Sequence, residues 1–206
     1  MIEILKNNYM NAIKSLQKLI LRLSPIVILL IIISCKNAQV LFQENTEDWK
    51  LTGDAKWVFN DHELIGKVED GAGYIITKQK YQDFVLELEF NPDSNINSGV
   101  FIRCKNEELN PINCYEINIW DLHPNQEYRT GAIVMKSTPI NIVETIYKWN
   151  TYKIRIQNDH VQVWINDILT ADLIDDSCQD GYIGLQAMGT GEIRFRNMKI
   201  YPLNPD

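Results

Sequence analysis

Along DFVLELEF, Phe84, Leu86, Leu88 and Phe90 fall on one side of an extended chain, with Val85, Glu87 and Glu89 on the other. HVQVWI sets Val161, Val163 and Ile165 against Gln162 and Trp164. YIGLQA sets Ile183, Leu185 and Ala187 against Tyr182, Gly184 and Gln186, and EIRFR opposes Ile193 and Phe195 to Arg194 and Arg196. A period of two marks strands with one buried face, because successive side chains leave a strand on opposite sides. About twelve such runs follow Lys56, separated by turn clusters such as EDGAG, NPDSNINSG, DDSCQDG and GTG. No segment after residue 40 carries a helical stripe. The pattern predicts an all-β domain, an antiparallel two-sheet sandwich or jelly roll. The loops 105–113, 121–129 and 135–147 are the longest and the natural places for function. Trp49, Trp57 and Trp149 stand near strand ends and read as core packing.

Residues 1–34 break the pattern. Lys6, Lys14, Lys18 and Arg22 precede an apolar run from Leu23 to Ile33, interrupted only by Ser24 and Pro25. A basic lead and a short apolar stretch read as a secretory signal. As a helix the run rises only about 17 Å, short of the roughly 30 Å hydrocarbon core of a bilayer. It ends in Ile32-Ile33-Ser34-Cys35, which resembles the bacterial lipoprotein box. That resemblance implies cleavage before Cys35 and acylation of its thiol. The expected organisation is a lipoprotein signal peptide over 1–34, a lipid-anchored tether over 35–43 and one domain over 44–206. Such a protein would sit in the cell envelope, on a bacterial membrane, periplasmic or surface-facing. An ordinary signal peptide or short anchor helix with an incidental cysteine is the plainer alternative.

Four of the 20 basic and one of the 27 acidic residues lie in those 34 positions, so the formal net charge moves from −7 to −10 once they are set aside. An acidic domain without a basic stripe is a poor partner for nucleic acid. Of the remaining cysteines, Cys104 and Cys114 flank the loop KNEELNPIN at facing strand ends and are a possible disulfide, while Cys178 reads as a buried free thiol. No cofactor is indicated and no metal-ligand spacing occurs, although Glu116, Asp121 and His123 offer hard ligands to a divalent cation.

The chemistry-bearing residues concentrate in CYEINIWDLHPNQEYRTGAIV, residues 114–134. With Tyr115, Ile117 and Ile119 facing the core, Glu116, Asn118 and Trp120 share the outer face. In SGVFIR before it, Val100 and Ile102 are core-facing, and Phe101 and Arg103 turn outward. On paired strands Arg103 can approach Glu116. An arginine and a glutamate so placed are either a solvated ion pair or part of a site. Phe101, Trp120, Asp121, His123 and Arg129 nearby favour a carbohydrate site, since aromatic faces suit sugar C–H faces and carboxylate and guanidinium groups suit hydroxyls.

NSGVFIRC, YEINIWDLHP, YRTGAIV, KWNTYKIRIQNDHVQVWINDI and GYIGLQAMGTGEIRFRNMKI, in that order, resemble the 3-keto-disaccharide hydrolase domain family over about Leu41 to Tyr201. The resemblance implies a concanavalin A-like jelly roll of the lectin and glucanase type. It also implies hydrolysis or elimination at the glycosidic bond of 3-keto-disaccharides or 3-keto-glucosides, in a groove on the concave sheet. A C3 ketone acidifies the C2 proton, so cleavage needs a base, donors for the enolate oxygen and an acid for the departing oxygen. Glu116, His123 and Arg103 are the catalytic candidates: Glu116 or His123 as base, and Arg103 with Arg129 for the oxyanion or hydroxyls. Asn118, Trp120, Asp121, Arg129 and Gln186 are candidate substrate contacts, Asp121 also as a partner orienting His123. In one place the chain departs from the family. Members often read Leu-Gln-x-His-Gly where this chain has Leu185-Gln186-Ala187-Met188-Gly189, and a thioether cannot carry a proton.

Two other readings use the same residues. Glu116, Asn118 and Asp121 echo the Glu-x-Asp-x-x-Glu signature of laminarinase-type hydrolases, with an amide in the middle and a shortened last acid. A non-catalytic carbohydrate-binding lipoprotein would suit Met188 and the outward Trp164 and Tyr182.

Overall fold

The structure, a computed structural model, describes residues 38–44 and 46–203. The expected signal segment and Cys35 lie outside the described residues. Thirteen strands follow in chain order: β1 (Gln39–Val40), β2 (Trp49–Gly53), β3 (Lys56–Asn60), β4 (Glu63–Val68), β5 (Ala72–Thr77), β6 (Phe84–Pro92), β7 (Ile96–Cys104), β8 (Tyr115–Ile119), β9 (Asn150–Gln157), β10 (His160–Ile165), β11 (Ile168–Ile174), β12 (Tyr182–Gly189) and β13 (Gly191–Pro202). Among the described residues the one helical piece is a single 3₁₀ turn, Gln126–Tyr128, capped by the Asn125 side chain.

The strands form two antiparallel sheets, the jelly-roll sandwich expected from the alternation. The larger has the order β11-β10-β9-β6-β13-β4-β3, with β1 added along β13, and the smaller has the order β2-β5-β12-β7-β8. Phe84, Leu86 and Phe90 of β6, Ile154 and Ile156 of β9, Val161, Val163 and Ile165 of β10 and Phe195 of β13 face Ile75, Val100, Ile102, Ile117, Ile183 and Leu185 from the smaller sheet in one buried cluster. Tyr152 links the layers. Its ring stacks on Phe90 at 4.6 Å, and its hydroxyl donates to the Asn118 carbonyl at 2.7 Å and accepts from the Gly131 N–H at 3.1 Å. That anchors the 130s segment to β8.

Three expectations about strand limits and the placement of charged and core residues need correction. The stretch assigned to a tether is partly folded: Gln39 and Val40 pair with Ile200 and Lys199, and Leu41 and Phe42 are buried, so the domain starts before residue 44. Trp149 is not core; it is half-buried with the Arg196 guanidinium 3.9 Å from its ring centroid. Trp49 and Trp57 do pack against the core. The third concerns Arg103 and belongs to the site.

Candidate functional site

The outer face of the smaller sheet is ordered by its register. One row runs Ile76–Gly184–Phe101–Glu116, the next Tyr74–Gln186–Gly99–Asn118, and a third Ala72–Met188–Asn97, with Trp120 one step beyond the Ser98–Ile119 pair. The first row is largely roofed. Cys104 and Cys114 form the disulfide that their positions allowed, and the loop they close folds back so that Leu109 fills the hollow over Gly184, where a Cβ would lie 2.1 Å from its Cδ2. Leu109, Ile76 and Phe101 with the two cysteines make a second small core. Phe101 therefore points outward as expected but is covered, and offers no face to a ligand.

Glu116 ends that row. Its residue is 9 % exposed, and among the described residues no hydrogen bond or ion pair reaches its carboxylate. Burial without a compensating partner penalises the anion, and its pKa is pushed up to about 7. The second and third rows each carry an amide with an unsatisfied oxygen: Gln186 Oε1 and Asn97 Oδ1 are buried without partners. Gln186 Nε2 donates to the Tyr74 hydroxyl at 3.4 Å and points at Met188 Sδ at 3.8 Å, and Asn97 Nδ2 points at the same sulfur at 3.5 Å. The thioether can only accept, so it engages the amide nitrogens and leaves both oxygens without a donor. Unsatisfied buried acceptors are costly, and this face carries two of them beside the unpaired Glu116 carboxylate, an arrangement suited to a ligand that donates.

Arg103 is not in this face. Between Phe101 and Cys104, β7 has one residue more than β12 has between Gly184 and Tyr182, a bulge, and Arg103 takes the left-handed conformation with φ 50°. Its side chain, 1 % exposed, is re-aimed to donate to Asp83 at 2.6 Å and to the carbonyls of Gln82, Asn158 and Cys178. A buried guanidinium with four hydrogen bonds and a carboxylate partner is a structural tie; the expected approach to Glu116 and a catalytic role are both corrected.

Three more candidates serve the loops. Asp121 accepts from the Thr145 N–H at 2.5 Å and its hydroxyl at 2.8 Å, so it holds the 141–147 loop and does not orient His123. Asn118 donates to the Tyr128 carbonyl and accepts from the Ile119 N–H, which engages both ends of its amide. Arg129 is buried and joins Gln126 at 3.2 Å to Glu144 at 2.9 Å, with Nε left over. His123 is half-buried against Trp120 at 4.6 Å and Tyr128 at 5.8 Å, and Asn125 engages Nδ1, leaving Nε2 as its free nitrogen. With Asp121 spent on Thr145, the carboxylate pair of a laminarinase-type site is not assembled. Among the described residues no group of three or more His, Cys, Asp or Glu is placed to hold a metal.

Tyr74 and Asn97 were not anticipated. Both were readable: alternation in AGYIIT sets Tyr74 against Ile75, and in NSGVFI it places Asn97 with Gly99 and Phe101.

Residues 37–201 match the 3-keto-alpha-glucoside-1,2-lyase-like domain. No curated protein matches the chain. Among solved structures, a candidate glycosyl hydrolase from Parabacteroides distasonis is similar with TM-score 0.71 and 25 % identity, over 81 % of this chain and 100 % of that one. The carbohydrate-binding module CBM66 from Bacillus subtilis is similar with TM-score 0.60 and 17 % identity, over 76 % and 97 %. The β-glucanase of Bacillus licheniformis is similar with TM-score 0.56 and 14 % identity, over 83 % and 100 %. The last two speak for the fold alone.

Proposed function

The chain belongs to the 3-keto-alpha-glucoside-1,2-lyase-like domain family, and from that premise we propose that it cleaves the glycosidic bond of 3-keto-glycosides at Glu116. The observation that carries the reading is the unpaired carboxylate of Glu116, lifted to about 7 on a ligand-accepting face. A base with a pKa near the working pH combines the right protonation state with proton affinity. In the proposed reaction Glu116 takes the C2 proton, made acidic by the C3 ketone, and the electron pair moves into an enolate. As the enolate collapses, the C1–O bond breaks and the departing oxygen takes a proton, leaving an unsaturated keto-sugar to which water can add. The Tyr74 hydroxyl, which accepts from Gln186 and keeps its own proton to give, supports the developing oxyanion. In the tautomer whose Nδ1 accepts from the Asn125 N–H, His123 Nε2 is the other donor for the departing oxygen.

The test uses the purified full-length protein with a 3-keto-glucoside and a 3-keto-disaccharide, following both sugar products by mass. Glu116→Gln is expected to lower kcat/KM by about 10²–10⁴-fold while leaving the fold intact, the range general-base removal produces. Wild-type activity should rise through pH about 7 as the base form appears. A non-catalytic carbohydrate-binding role is the second reading, favoured by Met188 where family members often carry a histidine. Saturable sugar binding by a folded wild type that releases no product would select it. Acylation of Cys35 and an envelope location belong to the same proposal. A fatty-acid label lost in Cys35→Ala supports them, and an unlabelled wild type refutes them.

A further inference from the structure

The covered and uncovered ends of the outer face differ in kind. Leu109 closes the face over Gly184 at the disulfide end, so a sugar ring seated against Glu116 has its free path toward the third row. Apart from the half-buried Asn97, that row is apolar where it meets solvent. Met188 is 40 % exposed, the half-buried Trp120 stands one register step past Ile119, and Ala72 adds a methyl. The loops around this end continue the character: Leu122 is 58 % and Tyr147 71 % exposed. They are held here by the Asp121–Thr145 bonds, by the Tyr147 N–H donating to the Pro92 carbonyl at 2.8 Å, and by the Tyr147 and Ser94 hydroxyls 2.8 Å apart. The Gln186 amide nitrogen spends both its hydrogens on Tyr74 and on the Met188 sulfur, and Asn97 turns its own nitrogen to the same sulfur, with one hydrogen left over.

We propose that the Met188–Trp120 row is the subsite for the group leaving C1, and that it takes a flat, apolar aglycone of the phenol type in preference to a second sugar. This rests on the keto-glycoside reading above. A thioether and an indole attract an aromatic ring, whereas a second sugar would set most of its hydroxyls against Met188 and Trp120, with only the Asn97 amide of that row to meet them. Met188 is then a specificity-determining residue, and its replacement of a histidine is a change in what the site accepts.

The experiment compares full-length wild type with Met188→Gln, of similar length but polar, and with Met188→Leu, on two substrates sharing one oxidised glucosyl ring, a phenyl 3-keto-glucoside and a 3-keto-disaccharide. The ratio of kcat/KM between them is compared across proteins, which cancels the difference in leaving-group chemistry. The expected result is a ratio at least tenfold lower in Met188→Gln, carried by KM, and preserved in Met188→Leu. An unchanged or increased ratio in Met188→Gln overturns the proposal. If wild type cleaves neither substrate, the catalytic reading fails. The subsite is then judged by ¹³C-methyl NMR of Met188 titrated with phenyl glucoside or an unoxidised glucosyl disaccharide. A Met188 shift larger for the phenyl compound sustains the subsite, and no such difference rejects it.

Discussion

Arg103 and Glu116 sit on the two strands of one hairpin, both charged and both buried, and they have opposite fates. The guanidinium is surrounded by Asp83 and three carbonyls, while the carboxylate meets no partner among the described residues. A buried charge held by several hydrogen bonds fixes a structure; one with none stores a cost that a ligand or a proton can relieve. Spacing and residue type could not have told them apart. The difference arises from one extra residue in β7.

The largest effect that tests the contrast is on stability. Removing one partner of a buried ion pair leaves the other uncompensated, at about 3–5 kcal/mol. Arg103→Ala is expected to lose that much in a denaturant titration, since the Asp83 carboxylate would keep only the Asn158 N–H among its bonds here. Glu116→Gln should lose none of it. Equal destabilisation by both substitutions would erase the distinction between tie and site.

The fold and the site were unequally legible. The core-facing sets of β6, β10 and β12 were all readable, because period-two alternation records burial directly and each of those strands is regular at those positions. The Cys104–Cys114 bridge was left open by the sequence because spacing does not place Cβ atoms. Glu116 and Gln186 were placed on the outer face by the same alternation. It failed for Arg103, where the left-handed residue reverses the facing. Asp121 and Asn118 escaped for another reason. Their partners, Thr145 and the Tyr128 carbonyl, are fixed only when the loops close over β8, and no local pattern records that. Leu109, a lone apolar residue in a polar loop, likewise gave no sign that it would roof Gly184.

The next effect is a pH dependence with a definite sign. Folded Glu116 holds its proton up to about 7, against an ordinary value of 4.5, so the folded state binds that proton more tightly than the unfolded chain does. The associated stability is fully present below about 4.5 and is lost as pH rises through about 7. A displacement of that size corresponds to about 3 kcal/mol. Glu116→Gln removes the titration, so its stability relative to wild type should rise by about that amount between roughly pH 4 and pH 8. A pH-independent difference would mean that the folded carboxylate finds a partner or water.

The smallest of the three effects concerns the roof. The disulfide closes a short loop, and the chain-entropy account assigns such a loop about 2–3 kcal/mol. Reductant should lower the melting temperature of wild type and leave a Cys104→Ala/Cys114→Ala variant unmoved. The comparison of the two charges gives this test a second readout. Arg103 is tied to Asp83, Gln82, Asn158 and Cys178 and to nothing in the loop, so its anchorage should survive. Phe101, the cross-strand partner of Glu116, lies directly in the cluster that the loop covers. Opening the roof should admit water beside Phe101, ease the desolvation of Glu116 and bring its pKa down toward the ordinary carboxylate value. The midpoint of the pH–rate profile should move to lower pH in the double variant. A profile that stays in place while stability falls would show that the desolvation comes from the sheet itself, with the loop acting only as a clasp.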